Sequence, residues 1–186
     1  NFKLIKNELR CLIGPNGAGK TSFFRCLTGQ YTPTQGDVWL AGKKITGWPS
    51  HEVARLGVGI KTQIPNLMNG LTVRENLWLA ARREHSDKRA SEFAEKMLER
   101  LSLKKVAMQL TGQLSHGLRQ RVELGMVLVA EPWLLLLDEP AGGLTHDEVE
   151  QMAELIHEVG KTTSVIVVEH DMAFVRQIAQ QVTVFP

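Results

Sequence analysis

The chain has 186 residues, 43% of them hydrophobic and 23% charged, with a net charge of +2. That is enough to bury one core without staples, and it excludes a disordered tail; the apolar run 133–137 is far too short to cross a bilayer. So small a charge makes no case for nucleic acid. Two cysteines, Cys11 and Cys26, form neither a disulfide framework nor a zinc signature, which makes a reducing compartment the default.

In chain order, 10–13 reads as a strand, followed by glycine-rich residues and a helix over about 19–28. A second strand is expected at 37–40 and a weaker one at 57–61. The middle changes character: 72–83 and 87–101 both read as helices. The first opens on a Thr72-x-x-Glu75 capping box, and the second carries Ala90, Phe93, Ala94, Met97, Leu98 and Leu101 at helical spacing. With no strand signal between them, 70–110 is expected to be an α-helical lobe inserted into an α/β core made of 1–69 and 111–186. Alternation then resumes. A helix is expected over 115–130 with Ser115 as N-cap, a buried strand at 133–137, a helix over 146–159 capped by Thr145-x-x-Glu148, a strand at 164–168 and a helix over 171–180. The whole predicts an α/β fold with a mostly parallel sheet. An opening Asn1 and a closing apolar run at 182–185 lead us to expect a piece of a longer polypeptide, cut at both ends. The four tryptophans, Trp39, Trp48, Trp78 and Trp133, are expected to serve packing, as is Phe2, and both cysteines are expected to be buried thiols.

Several segments carry chemistry. Gly14-Pro15-Asn16-Gly17-Ala18-Gly19-Lys20-Thr21 fits G-x-x-x-x-G-K-[ST] and lies between an expected strand and an expected helix. Glycines let backbone N–H groups turn inward around phosphate oxygens, and the following helix points its positive end at the same anion. Lys20 supplies a point charge, and Thr21, followed by Ser22, offers a hydroxyl to Mg²⁺. The strand at 133–137 ends in two carboxylates, Asp138 and Glu139, at the strand end where open α/β sheets bind ligands. Asp138 is placed to hold Mg²⁺ through its water shell and Glu139 to polarise an attacking water. Ser115 and Gly117, with the exposed amides opening the next helix, make a second anion site or an ordinary cap with a flexible glycine. Gln63 follows a strand candidate, and His170 follows a buried strand within Glu169-His170-Asp171.

The ordered set Gly14 to Thr21, Gln63, Leu114 to Gln120, Leu134 to Pro140, Ala141 to Thr145 and His170 resembles the nucleotide-binding domain of ATP-binding cassette (ABC) proteins, a branch of the P-loop NTPases. Within that family, Leu71-Thr72-Val73-Arg74-Glu75-Asn76-Leu77, Ser115-His116-Gly117 and Val167 to Met172 are similar to the branched-chain amino acid and urea uptake group. His116 and Glu123-Leu124-Gly125 lean toward the urea type. The resemblance implies an ATP-hydrolysing importer subunit. In it, the 14–21 backbone, Lys20 and Ser22 bind phosphates, while Thr21, Gln63 and Asp138 surround Mg²⁺. Glu139 is the catalytic base, and His170 senses the γ-phosphate. Ser115 and Gly117 contact ATP bound by a second, identical or related ATP-binding subunit in a head-to-tail dimer. It also implies that 70–110 docks transmembrane permease subunits at the cytoplasmic face of the inner membrane, and that no nucleic acid is bound. The aromatic that stacks on adenine would lie before Asn1. The sequence departs from the family pattern at Thr62, at His116 and Leu118, and at Thr145, where many relatives carry Phe, Gly, Gln and Asp. A DNA-repair type ABC protein would need a long coiled coil between Gln63 and Leu114, and no sustained heptads occur there. A translation-associated type would need a second cassette, and a non-hydrolysing regulator would be expected to lack Glu139.

Overall fold

The computed structural model describes residues 1–62 and 66–186. Five strands, β1 (Leu9–Ile13), β4 (Val58–Lys61), β5 (Leu134–Asp138), β6 (Ser164–Val168) and β7 (Gln181–Val184), form one sheet in the order β4-β5-β6-β1-β7. Every pairing in it is parallel. The two-residue strands β2 (Trp39–Leu40) and β3 (Lys43–Lys44) form a separate antiparallel pair.

The apolar runs of β5 and β6 become central strands because both of their faces are covered. Successive side chains point to opposite faces, so Leu135, Leu137, Val165 and Val167 join Leu9 and Cys11 in one core. Leu134, Leu136, Ile166 and Val168 join Leu12 in the other. The second core is closed by α1 (Lys20–Leu27) and α2 (Ser50–Arg55) through Phe24, Leu27 and Val53. The first is closed by α5 (His116–Leu128), α6 (His146–Gly160) and α7 (Met172–Ile178). Into the same apolar cluster run α3 (Val73–Arg82) and α4 (Asp87–Arg100), through Leu77, Ala81, Ala94 and Leu98. Each such fully buried leucine is worth about 1.5–3 kcal/mol. Gly125 of α5 brings that helix against Leu77 and Leu101, whose side chains lie where a Cβ would stand.

Local chemistry sets the ends. The Thr72–Glu75 and Thr145–Glu148 capping boxes are both formed, and Asp171 caps α7 by accepting from the Ala173 and Phe174 amides. Asn76, fully buried, accepts from the Met68 amide and donates to the carbonyls of Met68 and Thr72, which locks the chain entering α3.

The structure differs from expectation in several places. The run at 37–40 pairs over only two residues, and α2 was not expected. The helix after β6 stops at Ile178, because the chain turns extended at Ala179 to lay β7 alongside β1. Trp39 is 60% exposed and Trp133 39% exposed, so neither is a core residue. The Trp133 indole N–H donates to the Leu56 carbonyl at 2.5 Å. Cys11 is fully buried, but Cys26 is half-buried. Phe2 does pack, edge-on to Phe23 with ring centroids 5.0 Å apart.

Candidate functional site

Four chain segments leave the carboxyl edge of the parallel sheet side by side. The 14–21 loop follows β1, and Thr62 follows β4. Asp138 and Glu139 close β5, and Glu169 and His170 follow β6. Gln63 lies outside the described residues.

In the loop, Gly17 and Gly19 have φ of 86° and 91°, the left-handed region that a side chain disfavours, and Gly19 is the N-cap of α1. A Cβ on Gly14 would overlap the Phe185 carbonyl, so the loop's first residue is fixed by contact with the chain leaving β7. Lys20 opens α1, is 8% exposed and folds back over the loop. Its ammonium donates to the carbonyls of Gly14 at 2.7 Å and Pro15 at 2.9 Å. Thr21 and Ser22 are exposed on the first turn of α1. Beside them, Ser22, Phe23 and Cys26 of α1 and residues 30–35 line an open groove of about 540 Å³.

Asp138 is half-buried. Burial raises its pKa above the usual carboxylate value, the neighbouring charges of Glu139 and Glu169 push the same way, and the Lys61 ammonium opposes them. Glu139 sits at φ 48° with its amide donating to the Val168 carbonyl at 2.9 Å, a backbone that β5 and β6 hold between them. Its Oε1 lies 3.3 Å from His170 Nδ1, so a carboxylate and an imidazole from adjacent strands meet at the sheet edge. Thr21 and Asp138 are hard oxygen donors suited to Mg²⁺ together with phosphate oxygens. The crowding of carboxylates behind Asp138 favours a cation there. Among the described residues no three His, Cys, Asp or Glu side chains form a metal cage by themselves.

Ser115 caps α5, its hydroxyl accepting from the Leu118 amide at 3.4 Å. The departures at His116 and Leu118 have structural reasons. His116 Nε2 lies 3.0 Å from the Gly142 carbonyl, a bond the imidazole N–H donates, and so ties α5 to the turn after β5. Leu118 packs against the main core. Glu148 crosses from α6: its Oε1 accepts from Ser115 Oγ at 3.4 Å, and its carboxyl group lies where a Cβ on Gly117 would be. The Thr145 amide and hydroxyl, donating to the same side chain, hold Glu148 below the usual carboxylate range.

Four residues near this edge were given no part in the site from sequence. Glu148 is the third residue of its helix and reads only as a capping partner. Glu169 reads as one more charge beside His170, yet it is 1% exposed and bonded to three backbone amides. Lys61 and Glu123, from β4 and α5, form a buried pair with 3.6 Å between Nζ and Oε2.

A family model described as ABC transporter matches residues 1–142. The high-affinity branched-chain amino acid transport ATP-binding protein BraF of Pseudomonas aeruginosa is 35% identical over 202 aligned residues, covering 99% of this chain and 79% of that protein. LivG of Escherichia coli K12, named for the same transport, matches with the same identity and the same coverage. Among solved structures, the chain is similar to the ATP-binding cassette MJ1267 in its ADP conformation, with 26% identity and a TM-score of 0.86 over 98% of this chain and 78% of that one. It is also similar to the dimeric post-hydrolysis state of the cassette MJ0796 bound to ADP and Pi, at 25% identity and a TM-score of 0.87 over 100% of this chain and 84% of that one.

Proposed function

This chain belongs to the ABC transporter family, and from that premise we propose that it is the ATP-hydrolysing subunit of an importer for a small amino acid of the branched-chain type. The observation that carries the reading is the meeting, at one sheet edge, of the 14–21 loop, Asp138 and the Glu139–His170 pair. The named relatives act in branched-chain amino acid transport, and the urea-type alternative finds no support among them.

The chemistry follows from the residues in place. The loop amides and the first turn of α1 receive the phosphates, and the Lys20 ammonium exchanges the Gly14 and Pro15 carbonyls for phosphate oxygens. Thr21, Asp138 and Gln63 would hold Mg²⁺, which when bound neutralises charge on the β- and γ-phosphates. Glu139 orients the attacking water, and His170, held beside it, reaches the γ-phosphate. Ser115 and Gly117 serve ATP bound by a second ATP-binding subunit, so a lone chain lacks part of each site's anion-stabilising set. The γ-phosphate then biases a two-state dimer, and the segment 70–110 passes that motion to transmembrane subunits. No helix among the described residues is long and apolar enough to cross a membrane.

The test is sedimentation of the Glu139→Gln chain with Mg-ATP and with Mg-ADP. Dimer with ATP alone supports the γ-phosphate-gated pair. Monomer in both counts against a pair of identical chains.

A further inference from the structure

Glu169 stands between the segments that the proposed mechanism brings together. It directly follows β6, and its own amide donates to the Leu12 carbonyl at 3.2 Å, two residues before Gly14. Its side chain is 1% exposed. A carboxylate is costly to bury unless its oxygens are bonded, and here backbone N–H groups bond them. Oε1 accepts from Ala141 at 3.1 Å, and Oε2 accepts from His170 at 2.8 Å and Asp171 at 3.2 Å. The His170 imidazole lies over the same group, its Nδ1 3.9 Å from Glu169 Oε2 and 3.3 Å from Glu139 Oε1.

The two oxygens thus face two different segments. Oε1 holds the turn that begins two residues after Glu139, and Oε2 holds the backbone of His170. From this we infer that Glu169 is a positioning residue for hydrolysis: one buried carboxylate fixes the turn at Ala141 against His170 and so sets the spacing of His170 and Glu139. The inference rests on the proposed roles of Glu139 and His170. Glu169 itself touches no reacting atom. Because Asp171 also caps α7, the same carboxylate fixes where that helix starts.

Glu169→Gln tests it. An amide cannot accept on both sides, so its NH₂ would face either the Ala141 or the His170 amide, and that segment would shift. A small misplacement of catalytic groups costs far more rate than binding. In the full-length chain, we expect ATP hydrolysis per folded, ATP-binding molecule to fall by at least about tenfold in kcat, with KM for ATP within about twofold. Glu169→Asp keeps the charge but is one methylene short of spanning both amides, and it should lose kcat as well. It serves if the Gln variant does not fold. In a His170→Ala background, Glu169→Gln should add less than about a threefold further loss, because residues that act as a unit are not additive. Near-wild-type kcat in the Glu169 variants, or losses that multiply fully with His170→Ala, overturns the inference. If Glu139→Gln and His170→Ala themselves hydrolyse ATP normally, the proposed function fails and the inference fails with it. If those two are impaired while Glu169 variants are not, only the inference fails.

Discussion

Lys61 and Glu123 offer the sharpest test of how the sheet edge is held to α5. Lys61 ends β4, opposite Leu137 and one position before Asp138 on the neighbouring strand, and Glu123 lies in the middle of α5. The side chains are 2% and 5% exposed, and their 3.6 Å separation is an ion-pair distance longer than a normal hydrogen bond. The Asn66 amide and the Arg119 charge also favour the Glu123 carboxylate, and the Asp138 charge favours the Lys61 ammonium. Burial pulls Lys61 down and pushes Glu123 up, each toward its neutral form, while each charge opposes the other's shift. Replacing one partner removes the buried counter-charge nearest the other, a loss of about 3–5 kcal/mol. Replacing both by apolar groups of similar volume is near neutral or stabilising. Glu123→Leu alone and Lys61→Met alone should therefore each lower the unfolding midpoint by roughly 6–20 °C for a chain of this size. The double variant should return most of that loss. Urea unfolding followed by circular dichroism gives the double-mutant cycle. Single losses below about 1 kcal/mol, or a double variant as unstable as the sum of the singles, would refute the buried-pair reasoning.

The two cysteines, Asp138 and the 14–21 loop give three further tests. Burial, and secondarily the Glu169 charge, pushes the Cys11 thiol up to about 12, while Cys26 lines the open groove beside α1. A thiol reagent at pH 8 should thus modify Cys26 only in the folded chain; early labelling of Cys11, read by peptide mass, would contradict this. Because Asp138 has a raised pKa, the folded state holds its proton more tightly than the unfolded state does, so its ionised form costs stability that is absent in acid and appears as pH rises through that pKa. Asp138→Asn should accordingly stabilise the nucleotide-free chain at neutral pH, with the gain fading as pH falls into the carboxylate range. A gain that grows toward acid would have the wrong sign. Gly14→Ala meets a backbone carbonyl rather than a flexible side chain, and φ is 151° there. It should cost about 2 kcal/mol or more and weaken ATP binding, whereas Gly17→Ala meets open space and should cost less in stability. Equal unfolding midpoints for the two variants would contradict it.

What the sequence made legible was whatever local chemistry decides. The run 133–137 reads as a buried strand because nothing in it tolerates water, and the two Thr-x-x-Glu boxes announce helix starts by satisfying the first amides themselves. The glycine-rich loop declares its backbone shape through residues that need no Cβ. What stayed hidden depends on distant partners. β7 is an edge strand whose Val182 and Val184 are exposed, so its alternation carries little signal, and it exists because β1 offers it a ladder. Glu148 reads only as a capping partner, and Glu169 as one more charge beside His170, until α6 and β6 place them against Ser115 and Ala141. His116 looks like a departure until the Gly142 carbonyl appears 3.0 Å away.

Glu139, proposed to orient the attacking water, should be required for turnover of bound ATP. The direct measurement is phosphate release from ATP by the full-length chain and its Glu139→Gln variant, with nucleotide binding measured on the same samples. The Gln variant should bind ATP within about twofold of the wild type and lose turnover by about a hundredfold or more. Phosphate release at the wild-type rate from the Gln variant would contradict it.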